Sequence, residues 1–489
     1  MPAYGGTVGA TTSIVLFTRD LRVHDHPALT AAVRSADRVV PLFVLDLELL
    51  GRSPNRERFL LGSLAELHRQ LVHRGAGLVV REGSPVRAVL DLVDVTGAND
   101  VHITSDMTAY AARREALLRE ALSTHGATLH VHPGNAVVEP GEVAPADKTA
   151  YAVFTPYHRA WTGAPRRTVL DPPDRIVLPV GLDRGALPDP DTVRPESIDL
   201  PPGGEKAARR HVDAYLAGDA TRYADLRNDL AADATSRFSP YLRFGCISAN
   251  ELVHRLATLQ STDELIRQLA WRDFYGQLLA NDPTLAWRSL RGAPDDVPPP
   301  PSDADALVAR WEEGRTGVPL VDAGMRQLRR EGWIHNRARM VVASFLTRRL
   351  GVPWQRGSDV FMRWLVDGDP ANNAGGWQWV AGTGTDPRRS RSFNPVRQAE
   401  RFDPDGAYIA RYVRELADVP VPLRFAPWKE PSVRRATGYP APLIELPADG
   451  VKRSGPGGPP FHADAPARGP GLSPRLTARL ANSATTRRA

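Results

Sequence analysis

"SIVLFTRDLRVHDHPALTAAVRSADRVVPLFVLD", residues 13–46, decides the fold class. Two short apolar runs, "SIVLFT" and "VVPLFVLD", flank an amphipathic stretch, "HPALTAAV". Runs of that length read as strands buried on both faces, and a helix between two such strands brings them together in parallel. The alternation continues through "NRERFLLGSLAELHRQLVHRG", "LVVREG", "SPVRAVLDLVDVTG", "DVHITS", "TAYAARREALLREALSTHG" and "TLHVH". Residues 1–132 are therefore expected to form an α/β domain, a doubly wound, Rossmann-like parallel sheet of five strands. Such a sheet offers a ligand crevice at the carboxyl ends of its strands.

Residues 133–204 are rich in Pro, Gly and Asp with little periodicity, the pattern of a connector that wraps one domain onto another. Within it "KTAYAVFTPYHRAW" carries enough aromatics to pack. From 205 to 430 the period becomes helical, as in "ANELVHRLATLQ", "ELIRQLAWRDFYGQLLA" and "MRQLRREGWIHNRARMVVASFLTRRLG", which predicts an all-α domain. Residues 431–489 hold 17 Pro or Gly in 59 positions, so a disordered basic tail is expected there.

The 489-residue chain carries a formal charge of +6, and residues 431–489, with nine Lys/Arg against three Asp/Glu, account for all of it. Any affinity for nucleic acid must then rest on local patches, such as the nine arginines against three acids between Val321 and Leu365. No run of about 18 apolar residues is present to span a bilayer, and the N-terminal stretch lacks the pattern of a signal peptide. Cys246 is the single cysteine, which excludes an internal disulfide and any multi-cysteine metal site. A monomer in the reducing cytoplasm, away from membranes, is the expectation.

Four segments carry chemistry. In "TSRFSPYLRFGCIS", Ser239 before Pro240 reads as a helix N-cap, so Thr235, Ser236, Arg237 and Ser239 gather at a helix entrance, either as a phosphate site or as a capped helix alone. In "QLAWRDFY", Gln268, Trp271, Arg272 and Tyr275 are spaced to share one helical face, where an amide, an indole, a cation and a phenol meet. In "GWIHNRARM", His335 and Arg339 stand four apart with Asn336 and Met340 along the neighbouring edge, a mixture that suits a flat heterocycle better than water. In "VDGDPANNAGGWQW", Asp367 and Asp369 lie in a non-periodic stretch and would attract Arg339 or ribose hydroxyls, while Gly375 and Gly376 allow close backbone approach. "GTGTD" lacks the third glycine of a dinucleotide fingerprint, and the pairs His24/His26 and His130/His132 lack a third ligand, so no metal is expected.

Taken in this order, "TSRFSPYLRFG", "WRDFY", "GWIHNRARM" and "GGWQW" resemble the DNA photolyase and cryptochrome family, and most of all its microbial class that repairs cyclobutane pyrimidine dimers. The resemblance runs from "VLFTRDLRVHDHPAL" to "APWK" and implies an N-terminal domain for an antenna chromophore and a helical domain for FAD, active in its reduced form. It implies flavin contacts at Tyr223, Thr235, Ser236, Arg237, Phe238, Ser239, Arg339, Asp367, Gly368, Asp369 and Asn373, with the Asn373 amide at the isoalloxazine N5. An amide there hydrogen-bonds a reduced flavin without adding charge. Trp271 and Trp379 match the pair that brackets a flipped-out dimer in UV-damaged DNA, and Gln268, Asn336 and Met340 match dimer contacts. Arg227 and Arg337 are implied phosphate contacts, with Arg272, Tyr275 and His335 on the same DNA-binding side. In the implied reaction an excited reduced flavin lends an electron to the dimer, the ring splits, and the electron returns.

Two positions depart from the family pattern. Gln268 stands where cyclobutane photolyases carry glutamate, which leaves (6-4) repair or a cryptochrome-like blue-light photosensor as alternatives. Of the three tryptophans that carry an electron to the flavin, Trp377 and Trp354 match, but the third falls on Pro301. The "LLGRSPNRERF" region lacks the histidine of folate-binding relatives, which favours 8-hydroxy-5-deazaflavin over methenyltetrahydrofolate as antenna.

Overall fold

The computed structural model describes residues 10–292, 299–386 and 392–445. Five strands, β1 (Thr12–Phe17), β2 (Arg38–Leu45), β3 (Val79–Glu82), β4 (Asp100–Thr104) and β5 (Thr128–His132), form one parallel sheet in the order β3-β2-β1-β4-β5. Between them run α1 (Pro27–Ser35), α2 (Pro54–His73), α3 (Pro85–Thr96) and α4 (Ala109–Thr124). The local signals are strong. Pro opens α1, α2 and α3 at the position where a missing N–H costs nothing, and Ser53, Ser84 and Thr108 each accept a backbone N–H at a helix start.

Strand residues alternate between two cores. Ile14, Leu16, Val101 and Ile103 pack in one with α3 and α4, while Val15 and Phe17 join a second that also holds Phe59 of α2 and Phe238, Tyr241, Leu252 and Phe274 from the second half of the chain. The two halves thus share a core. The segment after β1 fastens them further: Leu21 N donates to Phe244 O (3.1 Å), Arg22 Nη1 to Gly245 O (3.0 Å) and Val23 N to Glu205 Oε2 (2.8 Å).

The connector 133–204 is partly helical. Its aromatic segment forms α5 (Phe154–Gly163), which buries Phe154, Tyr157 and Trp161 against the helical half. The longer helices beyond it that matter for the site are α6 (Glu205–Ala217), α7 (Asp263–Asn281), α8 (Pro319–Glu331), α9 (Asn336–Ser344), α10 (Trp354–Trp364) and α11 (Pro370–Ala381). Their core includes Trp311, Met325, Phe345, Phe361 and Trp377.

The structure corrects the start of the predicted tail. Residues 431–445 are folded: a short helix spans Pro431–Thr437, Tyr439 is buried with its hydroxyl on Asp322, and Leu443 N donates to Thr316 O (2.9 Å). The buried tyrosine, one backbone hydrogen bond and the packing of Val433, Leu443 and Ile444 hold that stretch despite its proline content. The remainder of the expected tail lies outside the described residues.

Candidate functional site

The pattern of 367–379 predicts irregular chain, but most of it is helix. Asp369 caps α11, accepting from Asn372 N (2.9 Å), Pro370 opens it, and Gly382 closes it at φ 76°. Periodicity failed because α11 is enclosed by α7, α9 and α10 and has no single wet face. A Cβ at Gly375 would lie 2.2 Å from Tyr275 Cδ1, so the phenol ring of α7 rests directly on the α11 backbone. In the same way the Trp377 ring rests on Gly357 of α10.

Around these helices several buried polar atoms lack a protein partner: Thr235 Oγ1, His335 Nε2, Asp367 Oδ1 and Trp377 Nε1. Trp333 Nε1 donates to Ser239 Oγ (3.3 Å), Arg339 Nε donates to Ile334 O (2.9 Å), and Arg339 Nη2 reaches Asp367 Oδ2 (2.8 Å). Asn373 donates its Nδ2 to Ser358 O (3.1 Å) and Oγ (2.8 Å), which leaves its amide oxygen as the free end. An unmet buried polar group costs about 1–3 kcal/mol, so each of these atoms is a candidate contact for a polar ligand. Burial, with Arg337, Arg237 and Arg339 adding repulsion, pushes the His335 imidazole down to about 3, so it is neutral. Burial pushes the Tyr223 phenol up to about 12.

The "TSRFS" cradle needs two corrections. Ser239 is the first helical residue and not the cap, and its hydroxyl serves Trp333. Nor is the Arg237 guanidinium open to a phosphate. It bonds Asp233 (2.6 Å) and Glu331 (2.9 Å) and lies over the Trp333 ring (4.2 Å), and its backbone sits at φ 46°, a left-handed conformation that a non-glycine residue keeps only where surrounding contacts enforce it.

At the carboxyl ends of the strands the expected crevice is nearly closed, with a volume of about 10 Å3. Arg19, after β1, fills it by bridging Asp106 (3.2 Å) and Asp369 (2.5 Å). Burial alone would raise the Asp369 carboxyl, but Arg19 and Arg243 hold it well below the usual carboxylate range. Burial, with Arg19 as a like charge, takes Arg243 down to about 9, and its Nε donates to Gly368 O (2.8 Å).

On the presumed DNA side the outcome is mixed. Trp271 and Trp379 are half-buried on the adjoining helices α7 and α11, and Trp271 has one face covered by Phe154 (3.6 Å between ring centres, 6° between planes). Gln268 donates to Glu264 O (3.2 Å) and remains partly open, while Asn336 is exposed with Met340 Sδ 4.0 Å from its amide. Four residues assigned to the DNA side are turned inward instead. Arg272 donates to Asn135 O (2.6 Å), Tyr275 lies on Gly375, His335 caps α9 by accepting from Arg337 N (3.1 Å), and Arg337 holds Asn228 Oδ1 (2.5 Å) over the Phe402 ring (4.2 Å). The spacing of Arg272 and Tyr275 suits a shared helical face, but Asn135 and the α11 backbone claim them, as Asn228 claims Arg337. Arg227 pairs with Glu264 (2.6 Å). Of the paired histidines, His24 bonds Glu205 (2.8 Å), His26 caps α1, and His130 bonds Asp100 (2.6 Å).

One residue escaped the sequence reading. Trp354 is buried and donates Nε1 to Ser289 Oγ (2.8 Å), and Gln355 donates Nε2 to Trp287 O (3.2 Å). Trp287 is 60% exposed, so a solvent-facing tryptophan is tied through its carbonyl to the residue that follows Trp354. Its nearness to Trp354 is tertiary, and no local signal in "TLAWRSL" announces it.

A parallel sheet sharing its core with a helical half that holds several unpartnered buried polar atoms defines a two-part α/β and all-α protein suited to holding a polar cofactor. Residues 13–175 match the family model described as DNA photolyase, and residues 265–452 match the FAD binding domain of DNA photolyase. The chain is 48% identical over 447 residues to the deoxyribodipyrimidine photo-lyase of Streptomyces griseus, covering 89% of this chain and 97% of that protein. It is 34% identical over 482 residues to the cryptochrome DASH of Natronomonas pharaonis, covering 89% and 98%. Among solved structures it resembles a class III photolyase of Agrobacterium tumefaciens at TM-score 0.84 and 30% identity, covering 91% of this chain and 96% of that one. The chain belongs to the DNA photolyase and cryptochrome family. Its helical half is an FAD-binding domain, and the unpartnered atoms of Thr235, Asp367 and Trp377 beside Asn373 fit that cofactor.

Proposed function

We propose that this protein is a light-driven lyase that repairs cyclobutane pyrimidine dimers in DNA, acting as a monomer. The observation that carries the reading is the run of unpartnered buried polar atoms at Thr235, Asp367 and Trp377, set beside two half-buried tryptophans on adjoining helices. Its 48% identity to a photo-lyase along nearly the whole of both chains supports it. Bound reduced FAD supplies, on absorbing light, the electron that opens the cyclobutane ring and that is then taken back.

The chain's own residues bind, orient and exclude water. Thr235, Arg339 and Asp367 would hold the cofactor's polar parts, with Tyr223 closing over it, while Asp369, taken by Arg19 and Asn372, fixes the start of α11. Asn373, with its Nδ2 committed to Ser358, offers an uncharged carbonyl oxygen to a ring N–H. Trp271 keeps one free face for a base and Trp379 supplies a second surface, each stack contributing about 1–3 kcal/mol. A damaged, poorly stacked pair leaves the duplex at lower cost than an intact one, which is the source of selectivity. Gln268, Asn336 and Met340 line the base edges. A carboxamide at 268 donates and accepts hydrogen bonds but holds no negative charge, so repair here relies on neutral contacts. Trp287 provides the outer end of the tryptophan series in place of the residue at Pro301.

An antenna chromophore, 8-hydroxy-5-deazaflavin rather than a folate, completes the reading. The crevice at the strand ends does not fit a tricyclic ring while Arg19 bridges Asp106 and Asp369. Gln268 favours a second reading, (6-4) repair or photosensing. The deciding experiment gives the flavin-loaded protein duplexes with one cyclobutane dimer or one (6-4) product, under blue light and in the dark. Restoration of the cyclobutane substrate in light alone is expected. Repair of only the (6-4) product, or of neither, overturns the proposal.

A further inference from the structure

Across Glu331 from the flavin cradle lies a cleft of about 730 Å3. Glu331 joins the two, accepting from Arg237 Nη1 (2.9 Å) on one side and from the Tyr412 hydroxyl on the other. Six arginines line the cleft, Arg315, Arg326, Arg329, Arg330, Arg411 and Arg414, against two lining carboxylates, Glu196 and Glu313. Arg326 is held by Glu415 (2.8 Å) and Arg330 by Asp199 (2.6 Å). The other side is less balanced. Arg329 lies over the Trp364 ring (5.1 Å), Arg411 donates to Ala231 O (3.0 Å), Arg414 is exposed, and among the described residues no carboxylate pairs with any of the three.

Guanidinium groups stay charged at any working pH, so three uncompensated cations share one concavity that concentrates positive potential. Their planar forks match phosphate oxygens. The location indicates whose phosphates. Residues 228–231 link the cleft to α9, since Asn228 holds the inward-turned Arg337 while Ala231 holds Arg411, and α9 also carries the exposed Asn336. Along the chain, six residues lead from Arg330 to Asn336. At about 3.5 Å per residue that is at most about 21 Å, or about six base steps of duplex.

We propose that this cleft is a second DNA contact, in which Arg329, Arg411 and Arg414 take backbone phosphates about six base pairs from the flipped dimer. The inference rests on the reading of dimer-containing DNA as substrate. It makes the footprint longer than the lesion pocket requires, with affinity gained away from the chemistry.

The test uses the full flavin-loaded chain in the dark and two duplexes, each with one thymine dimer, flanked on each side by about five or about fifteen base pairs. Arg329→Gln combined with Arg414→Gln is expected to weaken binding of the long duplex about tenfold near 0.1 M salt and to reduce the salt slope by about two, leaving the short duplex unchanged. Arg414→Gln alone, at an exposed position, is expected to give about a threefold loss. Light-driven repair at saturating DNA is expected to stay at the parent rate in both variants. Equal loss on both lengths, or none on either, overturns the proposal. So does a nucleoside triphosphate that saturates the cleft without displacing the long duplex. Failure of the parent protein to prefer dimer-containing over intact DNA would instead sink the substrate reading.

Discussion

Position 375 tolerates no side chain, because Tyr275 Cδ1 would stand 2.2 Å from a Cβ, whereas the next glycine, Gly376, faces open space. Gly375→Ala is therefore expected to destabilise the fold by about 1–3 kcal/mol and to loosen flavin retention, and Gly376→Ala to be neutral or stabilising by up to about 1 kcal/mol. Urea unfolding with flavin release as a second readout checks the contrast. Trp287 carries a different expectation. Trp287→Phe should slow light-driven reduction of the oxidised, resting flavin several-fold while leaving dimer splitting by chemically reduced protein unchanged, measured by absorbance under steady illumination. An unchanged photoreduction rate would show that the electron leaves by another path.

At the scale of elements, α9 begins on a histidine that cannot afford a proton. His335 accepts from Arg337 N and is 1% exposed, with its imidazole held down to about 3 by burial and neighbouring arginines. Above pH ~6.5 both folded and unfolded states are neutral there and nothing is lost. Below it the unfolded chain binds a proton that the folded one refuses, so stability falls as pH drops, by roughly 2 kcal/mol at pH 5 from this group alone. His102, 4% exposed and pushed down to about 4 by burial and then by His132 and His130, acts in the same direction. Denaturant midpoints at pH 7.5 and 5.0, with His335→Asn flattening the difference, check this. The strands and the helices of the α/β domain were legible because Ser-Pro starts and apolar runs are local signals. The helix α11 was not, since enclosure on all sides erases the amphipathic period that identifies a helix. The site residues were legible as types but not as directions. Arg272 and Arg337 are cations of the type that reads as surface contacts, yet Asn135 and Asn228 draw them inward, and those partners are distant in sequence.

For the molecule as a whole, the segment after β1 is the fastening. Arg22, 1% exposed, donates to His24 O, Asp25 O, Gly134 O and Gly245 O. Arg22→Met would strand these carbonyls and is expected to cost roughly 3 kcal/mol or more. Because the core beneath it mixes Val15 and Phe17 with Phe238 and Phe274, calorimetry should record one transition that moves down intact. Two separated transitions would mean the halves are independent. That common interior also bears on synthesis. When β5 leaves the ribosome, the partners of one sheet face, Phe238 to Phe274, are still more than a hundred codons away. At roughly 5–20 residues per second the nascent sheet waits roughly 5–20 s with greasy surface bare. A chain of this design leans on holdase chaperones during translation, and its yield in a foreign host should follow their supply more closely than the finished protein's stability.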